Sequence, residues 1–527
     1  MTAIRLSPLD AAWLFTESRA TPNHVGGLLQ FRLPPDAGRD FMRDLMADFR
    51  KHRAFSPPWN RRLKLAFNKN PMPAWIEDDD IDLEYHVRHA ALPWPGGERE
   101  LGELVGRLQS TPIDLERPPW ECTLIEGLEG NRFALFIKMH HSLIDGVSGV
   151  KLLQRAMASD PKKSLGLPPF WSAAPATVTA KGPASPRRGG PPATVAEAIA
   201  VAVQGLSEQA KSVPQLIGAF TKILKRIGSP SDGMVVPFDA PRSVLNGRVR
   251  EKRRFATQQF PIERLRQVAS AAGCTLNDVV LTLCGGALRR FLQERDSLPD
   301  KPLTAGIPVS VRPKDDEGQG NAISFIVSTL GTDIEDAAER LQVVHASVQH
   351  AKAHVQGLPK QAMLQYTMLL MAPTLVTLLT GIGGRTRPMF NITISNVPGP
   401  DKPLYFRGAE LLATYPASIV THGQALNITC QSYAGFMNFG FTGCHASVPS
   451  LQKLAVYTAQ ALSELEAAVA PKAARPATKR QAEEVKPVKP VKPVKPETPA
   501  KAAKSVKPVK SEAAAVEPTS KRRRRLA

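Results

Sequence analysis

The sequence predicts an α/β protein with enough chain for two domains, and three observations carry that expectation. The apolar run from Phe133 to Met139 reads as a strand buried on both faces. It leads directly into Val147 to Met157, whose apolar positions Val147, Val150, Leu153 and Met157 suit one face of a helix. The chain is 527 residues long and 43% hydrophobic, and its composition changes after Asp160.

Taken in order, Leu6 to Asp10 begins as a turn and short helix, and the stretch from Thr21 to Phe31 ends as a strand. Residues 39–54 carry a helical pattern. Pro71 to Asp80 reads as a polar, proline-broken connection, and Ile81 to Arg88 alternates like a half-buried strand. His86 and His89 belong to that strand and its end and receive no role, and His24 is read as structural. Pro118-Pro119 forbids helix and stiffens the approach to a strand starting near Trp120. It reads equally as the rigid wall of a pocket or as an ordinary turn. Residues 161–193, rich in Pro, Ala, Gly and Ser, read as a flexible linker.

Helices follow to Ile227, with an apolar stripe through Leu216, Phe220, Ile223 and Ile227 beside Lys222, Lys225 and Arg226. Such a stripe packs on its own protein or lies on a lipid surface. A strand over 252–260 and a helix over 261–272 come next. Thr275 then caps a helix to Leu292 that is apolar nearly all round, hence buried. Strands at 303–312 and 320–330 and a helix at 335–357 follow. Met363 to Ile382 is twenty residues without a charge, but Tyr366, its threonines and Pro373 favour a bent, buried or interfacial helix over a span. A strand from Asn391 ends in Pro398-Gly399-Pro400. Residues 415–433 give two strands joined at Gly423, a last strand begins over 439–442, and the last helix covers 448–468. The domains expected are 1–160, a linker with crossover helices at 161–235, a second domain at 236–470, and a basic, unfolded tail at 471–527.

That tail holds seventeen Lys and Arg against five Glu, about +12 of the chain's formal +20. Its Val-Lys-Pro repeats are too poor in large apolar side chains to bury a core, and its charge suits an anionic partner. The five cysteines (122, 274, 284, 430, 444) are odd in number and scattered in apolar runs, so they read as reduced thiols of a cytoplasmic protein. No basic-then-apolar leader opens the sequence.

Chemistry is expected on the corner between the strand and the helix, where His140-His141-Ser142-Leu143-Ile144-Asp145-Gly146 lies. Asp145 could simply cap the helix, with Gly146 easing the turn. A zinc site finds no accompanying Cys-x-x-Cys or His-Glu-x-x-His, and a serine hydrolase finds no Gly-x-Ser-x-Gly.

The segment resembles the HHxxxDG motif of coenzyme A-dependent acyltransferases, a superfamily that includes chloramphenicol acetyltransferase and peptide-synthetase condensation domains. Further segments narrow the resemblance to bacterial wax ester synthase/diacylglycerol acyltransferases. These are Ser7-Pro-Leu-Asp10 and His24-Val-Gly-Gly27, and Arg117-Pro-Pro-Trp-Glu121, where Pro119 stands for the family's Leu. Ala240 to Asn246 resembles the family's APRTxLN, and Asn277-Asp278 its ND motif. Pro308 to Arg312 with Gly320 to Ser324, and Ser395 to Pro400, complete the set.

The resemblance covers about 1–160 and 236–470. It implies two similar chloramphenicol-acetyltransferase-like α/β domains with mixed sheets and an active-site channel at their interface. It implies transfer of a long-chain acyl group from acyl-CoA to a fatty alcohol or a diacylglycerol, for storage lipid, with no cofactor and no metal. His141 would be the general base. Asp145 would be structural, turned away and paired with an arginine, here Arg312, with Gly146 permitting the bend. His140 and Asp278 would support the site, Asn277, Ser395 and Asn396 are the candidate oxyanion donors, and Pro118, Pro119 and Trp120 would wall the channel. Peripheral association with a membrane or lipid inclusion is expected. A condensation-like acyl or peptidyl transferase would be expected beside carrier domains. A non-catalytic lipid- or DNA-associated binding protein would be favoured by loss of His141 or Asp145, and both are present.

Overall fold

The run that predicts a central strand forms one, Arg132–His140, with every side chain from Phe133 to His140 buried. The computed structural model describes residues 3–6, 8–64, 73–144, 146–173, 235, 237–310, 323–356, 377 and 381–470. These fall in a single unit, Met1–Pro471. Its strands are β1 (Ile4–Arg5), β2 (His24–Arg32), β3 (Arg61–Lys64), β4 (Ala74–Glu77), β5 (Val87–Ala91), β6 (Trp120–Leu128), β7 (Arg132–His140), β8 (Arg253–Pro261), β9 (Thr304–Ser310), β10 (Ile323–Thr329), β11 (Ile392–Val397), β12 (Tyr405–Phe406), β13 (Ala409–Ala417), β14 (Leu426–Tyr433) and β15 (Phe436–Cys444). Its helices are α1 (Pro8–Phe15), α2 (Phe41–Lys51), α3 (Leu83–His86), α4 (Glu98–Ser110), α5 (Gly146–Gln154), α6 (Pro161–Leu165), α7 (Ile262–Ala272), α8 (Leu276–Gln293), α9 (Ala337–Gln356) and α10 (Gln452–Val469).

Two six-stranded mixed sheets organise the chain. Sheet one runs β12-β13-β2-β7-β6-β5, and sheet two runs β10-β9-β11-β14-β15-β8. Within them β5 pairs parallel with β6, and β11 parallel with β9 and β14, while the other pairings are antiparallel. A small sheet, β1-β4-β3, stands apart.

The two faces of sheet two differ. Ile392, Ile394, Ile428, Cys430, Phe439 and Phe441 point into one apolar core with α7, α8, α9 and α10. The alternate residues make the opposite face polar: Thr393 and Ser395 stand in register with Asn427 and Thr429, and Gln431 with Asn438. That face meets sheet one. Thr414 Oγ1 donates to Gln431 Oε1 at 3.1 Å, and the Ser418 and Thr429 hydroxyls lie 2.7 Å apart. Gly440 is required here, because a Cβ would sit 1.9 Å from the Pro416 carbonyl oxygen.

Helix α4 joins the sheets on the same side. Gly102 and Gly106 let it lie on β8, where a Cβ on Gly102 would fall 2.7 Å from the Phe255 carbonyl oxygen. The carbonyls left over at its C-terminal end are met by buried donors from sheet one. Lys138 Nζ donates to Leu108 O and Thr111 O at 3.0 and 2.7 Å, and His24 Nε2 to Gln109 O at 3.0 Å. Lys138 also pairs with Glu121 at 3.2 Å, both almost wholly buried.

Several expectations need correction. Residues 74–77 are not a broken connection; Ala-Trp-Ile-Glu is β4, because Trp75 and Ile76 have a core to enter and β1 and β3 to pair with. The alternating stretch at 81–88 begins as the helical turn α3, capped by Asp82 accepting from Glu84 N and Tyr85 N, and becomes strand only at Val87. The first part of the flexible linker, 161–173, is ordered. Its α6 is capped by Asp160, and Phe170 and Trp171 are buried against Trp59, Trp120 and Phe49. Two large aromatics outweigh a Pro-rich composition. The two strands within 415–433 are β13 and β14, but they belong to different sheets. The second half of the chain thereby supplies two strands to the sheet of the first half. The amphipathic stripe at 216–227 and the tail lie outside the described residues, as does most of the uncharged stretch 363–382. Among the described residues no single helix is long and apolar enough to cross a membrane.

Candidate active site

Strand β7 ends at His140, and the chain turns at once. Leu143 N donates to His140 O at 3.0 Å, and His140 N donates to Pro119 O at 2.9 Å. Pro118 and Pro119 are buried; Pro119 presents that carbonyl to the end of β7, and the Pro118 carbonyl accepts from Trp120 N at 2.8 Å. Trp120 does not wall a channel: it is fully buried, donates Nε1–H to Trp59 O at 2.8 Å, and stacks between His86 and Trp171. A large indole on a strand face that enters an aromatic core has no surface left for substrate.

The two histidines of the pair have different surroundings. His140 is fully buried. Its Nδ1 accepts from Ser142 N at 3.2 Å and lies 2.6 Å from Ser142 Oγ. A backbone N–H can only donate, so the His140 proton is assigned to Nε2, which points at Glu17 Oε2, 3.3 Å away. His141 is half-buried, its backbone N–H donates to Asn23 O at 2.9 Å, and its ring lies against Trp13 with centroids 4.4 Å apart.

Two residues that the sequence did not single out, Glu17 and Asn23, therefore hold the loop. Glu17 Oε2 accepts from Asn23 N at 2.6 Å as well as from His140. Asn23 is buried and donates Nδ2–H to Trp13 O at 2.7 Å and to Thr16 Oγ1 at 3.0 Å. The only available signal was the position of Asn23 directly before His24, since His24 and His140 are cross-strand partners.

His24 and His86 have no acid–base part. Burial, followed by the Lys138 charge, pushes the pKa of His24 well below its usual range. Burial lowers that of His86 to about 4, with its Nδ1 against Trp120 O at 2.7 Å. Both are neutral core groups.

In the second half, Thr275 caps α8 as expected, accepting from Asp278 N, and Asp278 is fully buried and closes the capping box. Its Oδ2 accepts from Thr275 N at 2.9 Å and from Thr275 Oγ1 at 2.7 Å, and lies 2.7 Å from His345 Nδ1 on α9. Asp278 thus holds the start of α8 together, with a histidine partner that sequence reading missed. Asn277 is half-buried in the first turn of α8. Ser395 and Asn396, both half-buried, point to opposite faces of β11, Ser395 toward sheet one and Asn396 toward the helices. Gly146 is exposed at the start of α5. Asp145 and Arg312, and so their expected pairing, lie outside the described residues. Among the described residues no three His, Cys, Asp or Glu side chains are grouped to hold a metal ion.

Two mixed sheets meeting across a polar face, with a histidine pair on the loop that leaves a central strand, define an acyltransferase fold of the coenzyme A-dependent kind. Comparison with known proteins narrows the class. The family model described as the wax ester synthase/diacylglycerol acyltransferase catalytic domain matches residues 6–280, and that of the WS/DGAT C-terminal domain matches 319–466. The chain belongs to the wax ester synthase/diacylglycerol acyltransferase family of O-acyltransferases. It is 44% identical over 502 residues to a putative diacylglycerol O-acyltransferase of Mycobacterium tuberculosis, covering 89% of this chain and 98% of that one. It resembles the structure of a wax ester synthase/diacylglycerol acyltransferase from Marinobacter aquaeolei VT8, with 36% identity and a TM-score of 0.71, over 88% of this chain and 99% of that one. Its likeness to the first condensation domain of the CDA synthetase, 17% identical with a TM-score of 0.51 over 90% of this chain and 98% of that one, is one of fold.

Proposed function

We propose that the protein moves a long-chain fatty acyl group from acyl-CoA to a fatty alcohol or a diacylglycerol, with His141 as general base. The observation that carries this reading is the contrast within the pair. His140 is sealed in the core, whereas His141 is only partly buried, on a loop pinned from behind. The His141 imidazole takes the proton of the acceptor hydroxyl as its oxygen attacks the thioester carbonyl. The tetrahedral intermediate collapses with loss of the coenzyme A thiolate, which receives that proton, so no acyl-enzyme is formed. Asn277, Ser395 and Asn396 remain the candidate oxyanion donors, of which Ser395 is on the polar face toward sheet one; one donor is worth about 2.7–4 kcal/mol.

The lipid nature of both products supports peripheral association with a membrane or lipid inclusion, and the tail's charge supports an anionic partner there. The test is release of thiol from palmitoyl-CoA with hexadecanol or a diacylglycerol as acceptor, for wild type and His141→Ala. Full activity in a folded His141→Ala protein would refute the assignment.

A further inference from the structure

We propose that the segment Arg248-Val-Arg-Glu-Lys-Arg-Arg254, before and at the start of β8, binds the phosphate groups at the nucleotide end of acyl-CoA. This rests on the acyl-CoA-dependent reading above and names a subsite of it. The segment holds five basic residues and one acid. That acid, Glu251, is already paired with Arg19 at 2.7 Å. Arg248, Arg250 and Lys252 are exposed and Arg254 is half-buried.

No carboxylate among the described residues lies within ion-pairing distance of these four side chains. Arg248 and Arg254 turn to a carbonyl and to ring nitrogens instead. Arg248 donates to the Gly381 carbonyl at 2.7 Å and faces His422 Nε2 at 3.2 Å. Arg254 faces His445 Nε2 at 3.1 Å, while its own Nε is buried without a partner. Burial and then the Arg248 and Arg253 charges hold the His422 pKa below its usual range. Like charges gathered without counter-charge oppose folding, and a guanidinium turned to an imidazole keeps its full charge for a ligand. Guanidinium forks match phosphate oxygens.

The placement suits acyl-CoA. Arg253 is buried and anchors the segment, donating Nη2–H to Ala20 O at 2.7 Å. Ala20 lies three residues before Asn23, whose carbonyl holds the His141 backbone. Three residues span at most about 11 Å. The root of the basic segment and the reactive loop thus hang on one short turn. A thioester held at His141 has a flexible pantetheine arm with which to lay its phosphates on these side chains.

The experiment compares wild type with the triple variant Arg250→Gln, Lys252→Gln, Arg254→Gln, sparing the anchoring Arg253 and the Arg248 that ties down Gly381. Two acyl donors are used: palmitoyl-CoA, and S-palmitoyl-pantetheine, which has the same thioester and no phosphate. The expected result is a KM for palmitoyl-CoA raised at least roughly tenfold, with kcat and the KM for palmitoyl-pantetheine unchanged. Adenosine 3′,5′-bisphosphate should compete with palmitoyl-CoA in the wild type, a measurement that depends on no variant's folding. An unchanged KM, or an equal rise for both donors, would overturn the proposal. So would loss of binding to phosphatidylglycerol vesicles with palmitoyl-CoA kinetics intact, which would make the segment a membrane contact. No transfer by the wild type from either donor would remove the functional reading and this one with it, whereas transfer with an unaltered KM removes this one alone.

Discussion

Glu17 and His140, 123 residues apart in sequence, meet at 3.3 Å behind the loop that carries His141, and the same carboxylate oxygen takes the backbone N–H of Asn23 at 2.6 Å. One acid thereby fixes both supports of His141: the strand end beneath it and the carbonyl that holds its backbone. Glu17→Ala removes the one oxygen that accepts from both donors. The expected outcome is a kcat lowered about 10- to 100-fold with the acyl-CoA KM unchanged, as for a misplaced reacting group. Steady-state kinetics beside a melting curve decide it; a lower Tm with unchanged kcat would reduce Glu17 to a structural brace.

Within the histidine pair, His141→Ala should lower turnover by about 10²–10⁴-fold in a protein that still folds. His140→Ala should leave measurable turnover and lower Tm, since it strips partners from Ser142 and Glu17 inside the core. Equal kinetic loss in two well-folded variants would contradict this division.

Stability should fall with acid between pH 6.5 and about 4. The pKa of His86 is depressed in the folded state, so its contribution is complete above the unfolded value and is lost as pH falls toward the folded one. Within that window the unfolded chain binds a proton that the folded chain refuses, a slope of about 1.4 kcal/mol per pH unit for each such histidine. His24 acts in the same direction. His86→Phe, which keeps a ring against Trp120, should remove one proton from the slope measured by urea unfolding across this range.

Trp171→Ala should cost about 3–5 kcal/mol by opening a cavity beside Trp120 and Phe49. Chemical denaturation measures it. A loss below 1 kcal/mol would return 161–173 to the status of a linker.

A chain ending at Ala470 should keep its turnover with soluble donor and acceptor, and should bind anionic vesicles less well at low salt. A large drop in kcat would make the basic tail part of the enzyme.

What the sequence made legible were the features written in local pattern. β7 announced itself by its apolar run, α8 by its cap and all-round hydrophobicity, and the corner that carries His141 by the break between β7 and α5. What it hid depends on partners far along the chain. The period of two in 409–417 says strand, but nothing local says that Pro416 and Ala417 will pair with Gly27 and Gly26. Glu17 carries no motif, because its job is to meet a backbone N–H and a ring that only the fold brings near. Phe170 and Trp171 were masked by prolines and alanines around them, and the face assignment of Ser395 against Asn396 needed the register with β14.

The passage of β12 and β13 into sheet one bears on how the protein comes into being. Arg32 and Glu410, joined across that seam, are separated by 378 residues. During synthesis β2 therefore emerges early and waits, its outer hydrogen-bonding edge uncovered, until nearly the whole catalytic body has left the ribosome. An unsatisfied edge is a template for strands of other nascent chains, and pairings this remote close slowly. Production of the first half alone should yield an aggregating fragment, rescued only when the segment carrying 405–417 is supplied alongside it.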